Sequence, residues 1–184
     1  MTRALLPLLV LGLFGGLTPA HAGSRCVAHR GNNVAELENS WASIRSAEAL
    51  GADGIEFDVH HSGDGVGMLV HDTTLERVAQ GPDCPIDVDL HTLTAEQVRS
   101  RCTLSNGEEI PLLSDVLAEA EGWNATLFVE LKDVPSPQTV ALLRETRDRI
   151  GDRLRVISFD KDALEPCMEI PGLSLYKLAI TVVA

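Results

Sequence analysis

Seven residues with metal-ligating, proton-transferring or anion-binding side chains stand at the ends of short apolar runs. They are His29 and Arg30 after Val27-Ala28, Glu56 and Asp58 within Ile55 to Val59, His71 after Met68-Leu69-Val70, and Glu130 and Lys132 around Leu131. Glu56 and Asp58 are two residues apart, so on a strand both side chains leave the same face. Two carboxylates side by side on a buried strand repel each other and are costly to desolvate, and a divalent cation resolves both problems. Glu130 ends the apolar run Leu127-Phe128-Val129 and supplies a third oxygen ligand by the same reasoning. An all-carboxylate set selects Mg²⁺ or Ca²⁺ over zinc. A single histidine at a strand end is ordinarily structural, but two beside a carboxylate cluster fit a general acid and base. Arg30 and Lys132, next to the acids, read as a phosphate clamp rather than as surface charges. His60 and His61 lie beyond the acids and are read as rim residues, and His91 as part of an insertion.

These residues need strands to carry them, and the pattern supplies strands alternating with helices. Strands are predicted over 25–29, 54–60, 66–71, 126–131, 154–159 and 173–180. Helices are predicted over 41–50, capped by Asn39-Ser40 and stopped by Gly51, and over 114–121, 137–150 and 161–168. Ser62-Gly63-Asp64-Gly65 is a turn, too short for a helical crossover, so the second and third strands are expected to be hairpin-like or closely linked. Residues 72–110 are less regular and read as an insertion on the rim, with a short helix over 94–99 opened by Thr94-x-x-Gln97.

Alternation of this kind implies an α/β fold with a parallel sheet. An open doubly wound sheet and a TIM (β/α)8-type barrel compete. No Gly-rich phosphate loop follows the first strand, and polar residues sit at successive strand ends, so the barrel is preferred. About six of the eight strands are counted, and the expectation is an incomplete barrel with exposed edges, marginal stability and little activity.

The 184 residues suit one domain, and 45% hydrophobic with 23% charged residues suits a packed core rather than disorder. The net charge of −12 disfavours nucleic acid and anionic lipid as partners. Residues 1–22 read as a signal peptide: Arg3, an apolar stretch over 5–17, then Ala20-His21-Ala22 as the cleavage pattern. The apolar run is shorter than the ~20 residues a membrane span needs. The domain is therefore expected over 23–184, exported to the periplasm or secreted, with no stable membrane anchor. Export permits disulfides, and a Cys84–Cys102 link would contribute ~3 kcal/mol. Cys26 and Cys167 are read as small buried residues at least as readily as a second bridge.

His29-Arg30-Gly31, Glu38-Asn39-Ser40, Gly54-Ile55-Glu56-Phe57-Asp58-Val59, Val70-His71-Asp72 and Glu130-Leu131-Lys132, in this order and spacing, resemble the glycerophosphodiester phosphodiesterase family. Ile110-Pro111-Leu112-Leu113-Ser114-Asp115-Val116-Leu117 resembles the family's segment after its insertion. The resemblance implies a metal-dependent barrel that cleaves glycerophosphodiesters to glycerol 3-phosphate and an alcohol. It implies Glu56, Asp58 and Glu130 as ligands to Ca²⁺ or Mg²⁺, His29 and His71 as the acid–base pair, and Arg30 and Lys132 on the phosphate. Two alternatives stand beside it: a related barrel phospholipase, and an inactive remnant that binds metal or head group only.

Overall fold

The computed structural model describes residues 25–179. The segment read as an export signal lies outside them. Five strands form a parallel sheet in the order β1 (Val27–Ala28), β2 (Gly54–His61), β6 (Thr126–Leu131), β7 (Leu154–Ser158) and β8 (Ser174–Lys177). The sixth, β3 (Gly67–Met68), runs antiparallel to the end of β2, with His60 opposite Met68 and His61 opposite Gly67. The hairpin reading of the 62–65 turn therefore holds, whereas the regular strand expected over 66–71 shrinks to two residues. Helices α1 (Trp41–Ala49), α3 (Leu113–Glu119), α4 (Pro137–Ile150) and α5 (Lys161–Leu164) alternate with the parallel strands. The α/β architecture is that of an incomplete (β/α)8-type barrel. Among the described residues β1 and β8 are not paired with each other.

Local chemistry accounts for the boundaries. Ser40 caps α1 reciprocally with Ser43: each side chain accepts from the other's backbone N–H. Pro137 opens α4 and Gly151, at φ +63°, ends it. Ser114 does not cap α3 as expected; the cap position is Leu112, without a side-chain hydrogen bond, and Ser114 lies inside the helix. The helix expected over 161–168 tightens into a 3₁₀ turn at Glu165–Cys167, where Pro166 lacks a backbone donor. β1 is shorter and more open than expected, and Cys26 is exposed rather than buried, because β2 flanks it on one side only.

Alternation along β2 and β6 divides the sheet into two chemistries. Ile55, Phe57, Val59, Leu127, Val129 and Leu131 pack with Ile44, Val116, Leu143 and Leu164 from the helices. The intervening Glu56, Asp58 and Glu130 leave the opposite face and are also buried. The insertion has its own core, in which Leu75, Val78, Leu90, Val98 and Leu104 close over Met68 and Val70. It contains the two-residue pair β4 (Ala79–Gln80) and β5 (Thr103–Leu104) and the helix α2 (Ala95–Arg101), opened by the expected Thr94–Gln97 capping box. A Cys84–Cys102 disulfide joins its two sides. No helix among the described residues is long and apolar enough to cross a membrane.

Candidate metal centre and its histidines

The parallel register places Asp58 beside Glu130, with Glu56 one pleat below. Carboxylate oxygens of Glu56, Asp58 and Glu130 lie within 4.8 Å of one another, all three residues buried. Each acid has a polar partner that fixes it. Glu56 accepts from the Arg30 backbone N–H at 2.8 Å. Asp58 accepts from Asn39 Nδ2 at 2.9 Å and its own N–H donates back to Asn39 Oδ1 at 3.1 Å. Glu130 accepts from Lys132 Nζ at 2.7 Å.

Two oxygens accept no hydrogen bond, Glu56 Oε1 and Asp58 Oδ1, both buried. Leaving a buried carboxylate oxygen without a donor costs free energy. Burial, the neighbouring Asp58 and, more weakly, Glu130 push the Glu56 carboxyl up to about 8 from an ordinary 4.5. Orphaned oxygens in an all-carboxylate cluster fit a hard dication, with Glu56, Asp58 and Glu130 as its ligands. The pH consequence has a definite sign. A carboxyl with a folded pKa above its unfolded one stabilises the fold at low pH and loses that contribution as pH rises through the folded value. The metal-free chain is thus expected to melt at progressively lower temperature between about pH 5 and pH 8, and Mg²⁺ or Ca²⁺ to reverse the trend. A melting temperature flat across that window would rule this out.

The backbone under the centre is strained. Among the described residues Arg30 and Asn39 are the non-glycine residues with positive φ, at +55° and +54°, and the Asn39 N–H donates to the Arg30 carbonyl at 3.1 Å. Next to them Gly31 has φ +74°, and a Cβ there would lie 2.6 Å from the Ser43 carbonyl carbon. Its N–H donates to the Glu56 carbonyl. Gly31→Ala should therefore cost at least ~1–3 kcal/mol of stability, read as a lower urea midpoint. An unchanged midpoint would mean the loop relaxes freely.

The two histidines differ in setting. His71 is partly buried, and its Nδ1 lies 2.7 Å from Asp72 Oδ1. Asp72 in turn accepts from Arg77 Nε at 2.7 Å, and Arg77 grips Glu38 with both terminal nitrogens. Glu38 also accepts from Arg30. A continuous chain of charges thus runs from His71 to Arg30. The Arg77 hydrogen bond holds the Glu38 carboxyl below its ordinary range against the opposing cost of burial. Burial works against ionisation of Asp72 too, yet its hydrogen bonds with His71 and Arg77 hold it low. His29 is mostly exposed, with Nε2 3.9 Å from Glu56 Oε2.

Six of the seven residues singled out in the sequence meet at the centre, and His71 reaches it through Asp72, Arg77 and Glu38. Arg30 and Lys132 do not stand free there. Arg30 Nε is 3.1 Å from Asp58 Oδ2, an ion pair whose N–H is not aimed for a hydrogen bond, and Lys132 Nζ is 3.5 Å from Asp58 Oδ1. Both cations are mostly buried and offset the acids they flank. The supporting roles of Asn39, Asp72 and Arg77 were not assigned from sequence. Asp72 is adjacent to His71 and could have been; Arg77 reaches Glu38 across 39 positions and carries no local signal.

Comparison with known proteins identifies the family. Residues 29–178 match the model for the "Glycerophosphoryl diester phosphodiesterase family". Human glycerophosphodiester phosphodiesterase 1 is 35% identical over 124 residues, 63% of this chain and 36% of that protein. A glycerophosphodiester phosphodiesterase from Caldanaerobacter subterraneus is 35% identical over 107 residues, 58% of this chain and 44% of that one. Among solved structures, a glycerophosphodiester phosphodiesterase from Agrobacterium tumefaciens superposes with a TM-score of 0.71 at 27% identity, covering 83% of this chain and 65% of that one. A phosphodiesterase from Oleispira antarctica, solved in complex with the product sn-glycerol-3-phosphate, superposes with a TM-score of 0.68 at 25% identity, covering 85% and 66%. The chain thus spans about a third of the length of its human relative and about two thirds of these solved chains. With the family matched across most of its length and the fold shared, the chain belongs to the glycerophosphoryl diester phosphodiesterase family.

Proposed function

We propose that this protein hydrolyses glycerophosphodiesters to glycerol 3-phosphate and an alcohol, with a divalent cation held by Glu56, Asp58 and Glu130 and with His29 and His71 as the proton-transfer pair. The observation that carries this reading is the buried carboxylate trio with two oxygens that accept no hydrogen bond, linked through Arg30, Glu38, Arg77 and Asp72 to a histidine oriented by that aspartate. Family membership and the glycerol 3-phosphate bound by the Oleispira relative support the substrate class. Mg²⁺ or Ca²⁺ suits the all-oxygen donor set, and when bound supplies charge stabilisation to a phosphoryl group in transition.

The remaining work falls to side chains. Asp72 holds the Nδ1 edge of His71, which directs Nε2 to a proton of substrate or water. His29 is open to solvent and close to Glu56, so it can exchange a proton at the opposite side of the scissile bond. Arg30 and Lys132 balance the acids now and add positive charge to the surroundings of an incoming phosphate. Competing glycerophosphocholine against lysophosphatidylcholine tests the substrate class. Release of glycerol 3-phosphate from the first, with the second untouched, is expected; preference for the acylated substrate would favour the barrel-phospholipase reading.

The protein is further proposed to be exported, with Gly23 as the mature N-terminus. Mass spectrometry of material recovered outside the cytoplasm checks this, and an intact Met1 there would exclude it.

A further inference from the structure

A second group of ligating side chains lies at the end of β2, two residues beyond Asp58. His60, on β2, and Asp133, just after β6, meet His91 from the 3₁₀ turn Leu90–Thr92 of the insertion. One donor atom from each lies within 4.8 Å of the others. His60 Nδ1 is 3.0 Å and His91 Nε2 3.2 Å from the same oxygen, Asp133 Oδ2. The two imidazoles meet edge to face, with centroids 5.9 Å apart.

The outer contacts are those a metal site requires. His60 Nε2 lies 3.2 Å from the His71 carbonyl, and a carbonyl only accepts, so Nε2 carries the hydrogen. That turns Nδ1 toward Asp133 Oδ2, where the two atoms lie 3.0 Å apart. A cation bound by both atoms would take the place of that contact. Histidine ligands are commonly oriented by donating their other N–H to a carbonyl, and that contact is already made. The ligand carboxylate is also tied down: His61 Nδ1 bonds the second oxygen, Asp133 Oδ1, and the His61 backbone N–H donates to Oδ2 at 3.0 Å. His61 Nε2 is anchored by Thr139 Oγ1 at 2.9 Å. His60 and His61 are buried, whereas His91 is 43% exposed in its side chain, which leaves an entry path and room for a fourth ligand such as water.

We infer that His60, His91 and Asp133 form a second metal site, separate from the carboxylate trio, that takes Zn²⁺ or a similar transition-metal dication. Two imidazoles and one carboxylate are a borderline-soft donor set, unlike the all-oxygen trio, so the two sites sort different ions. Tetrahedral Zn²⁺ with bonds of about 2.0–2.1 Å would draw these three donor atoms, now within 4.8 Å of one another, onto one point. Its consequence is positional. The ion ties the insertion to the sheet and, through the His60 contact with the His71 carbonyl, fixes the backbone that carries a proposed acid–base residue.

Titration of the chelator-stripped full chain with Co²⁺, followed by visible absorption, tests this, because four-coordinate Co²⁺ absorbs far more strongly than six-coordinate. The unchanged chain and Glu130→Gln should both give the intense band. His91→Ala should lose it, with Zn²⁺ affinity in competition lowered at least about 100-fold, beyond what loss of an outer partner costs. His91 projects from an exposed turn, so its removal should leave the circular dichroism spectrum unchanged. Zn²⁺ should also slow amide exchange across residues 72–110 in the unchanged chain and not in His91→Ala. An intense band that survives His91→Ala, or one that Glu130→Gln abolishes, would overturn the site. So would a cluster that binds no Co²⁺ at all, leaving His60 and His91 as hydrogen-bond donors to Asp133 only.

Discussion

His71→Ala is expected to cut release of glycerol 3-phosphate by about 100- to 10,000-fold relative to the unchanged chain, the range typical for loss of a general acid or base, while dication affinity stays the same. The division follows from geometry. His71 bonds Asp72, outside the carboxylate trio, and shares no hydrogen bond with Glu56, Asp58 or Glu130. With the imidazole gone, Asp72 keeps its Arg77 partner and the charge chain to Glu38 persists. Steady-state rates and calorimetry on the same preparation check both halves. A parallel loss of dication affinity would make His71 a structural element of the metal site rather than a proton carrier.

Asp58→Asn is expected to do the reverse at its first step, lowering Mg²⁺ or Ca²⁺ affinity at least about 100-fold, more than outer-sphere losses typically cost. Asp58 is fully buried between Arg30 and Lys132 and carries one of the oxygens that accept no hydrogen bond. The amide keeps its shape but removes the charge that both cations offset. It also leaves Arg30 and Lys132 facing a neutral group, which disfavours a further cation. Glu56→Gln and Glu130→Gln should weaken binding in the same direction. Calorimetric titration of all three variants decides the matter: if each binds like the unchanged chain, the trio is not the metal site.

Much of this centre was legible before the fold was known, because it is written in local patterns. The i, i+2 spacing of Glu56 and Asp58 inside an apolar strand implies two like charges on one buried face. Only strand periodicity is needed to see that. Glu130 at the end of 126–131 follows the same rule, and the register then sets it beside Asp58. What stayed hidden depends on long-range closure. Arg77 reaches Glu38 only because the insertion folds back against the β1–α1 loop and the third strand. Asp133 collects His60, His61 and His91 because the β6–α4 loop ends next to the hairpin turn. His60 and His61 therefore read as rim residues in sequence, yet both are buried in the structure. The strand expected over 66–71 failed for a related reason. Met68 and Val70 pack into the insertion's core while Leu69 packs into the main one, and the Leu69 N–H bonds the Pro111 carbonyl instead of continuing a regular ladder.

The most direct test of a dication-dependent phosphodiesterase centre is the release of glycerol 3-phosphate from a glycerophosphodiester, measured with added Mg²⁺ or Ca²⁺ and again with excess chelator. The arrangement of Glu56, Asp58 and Glu130 predicts release that requires the cation and disappears in Asp58→Asn whatever cation is supplied. Release that continues undiminished in chelator, or in Asp58→Asn, would contradict it.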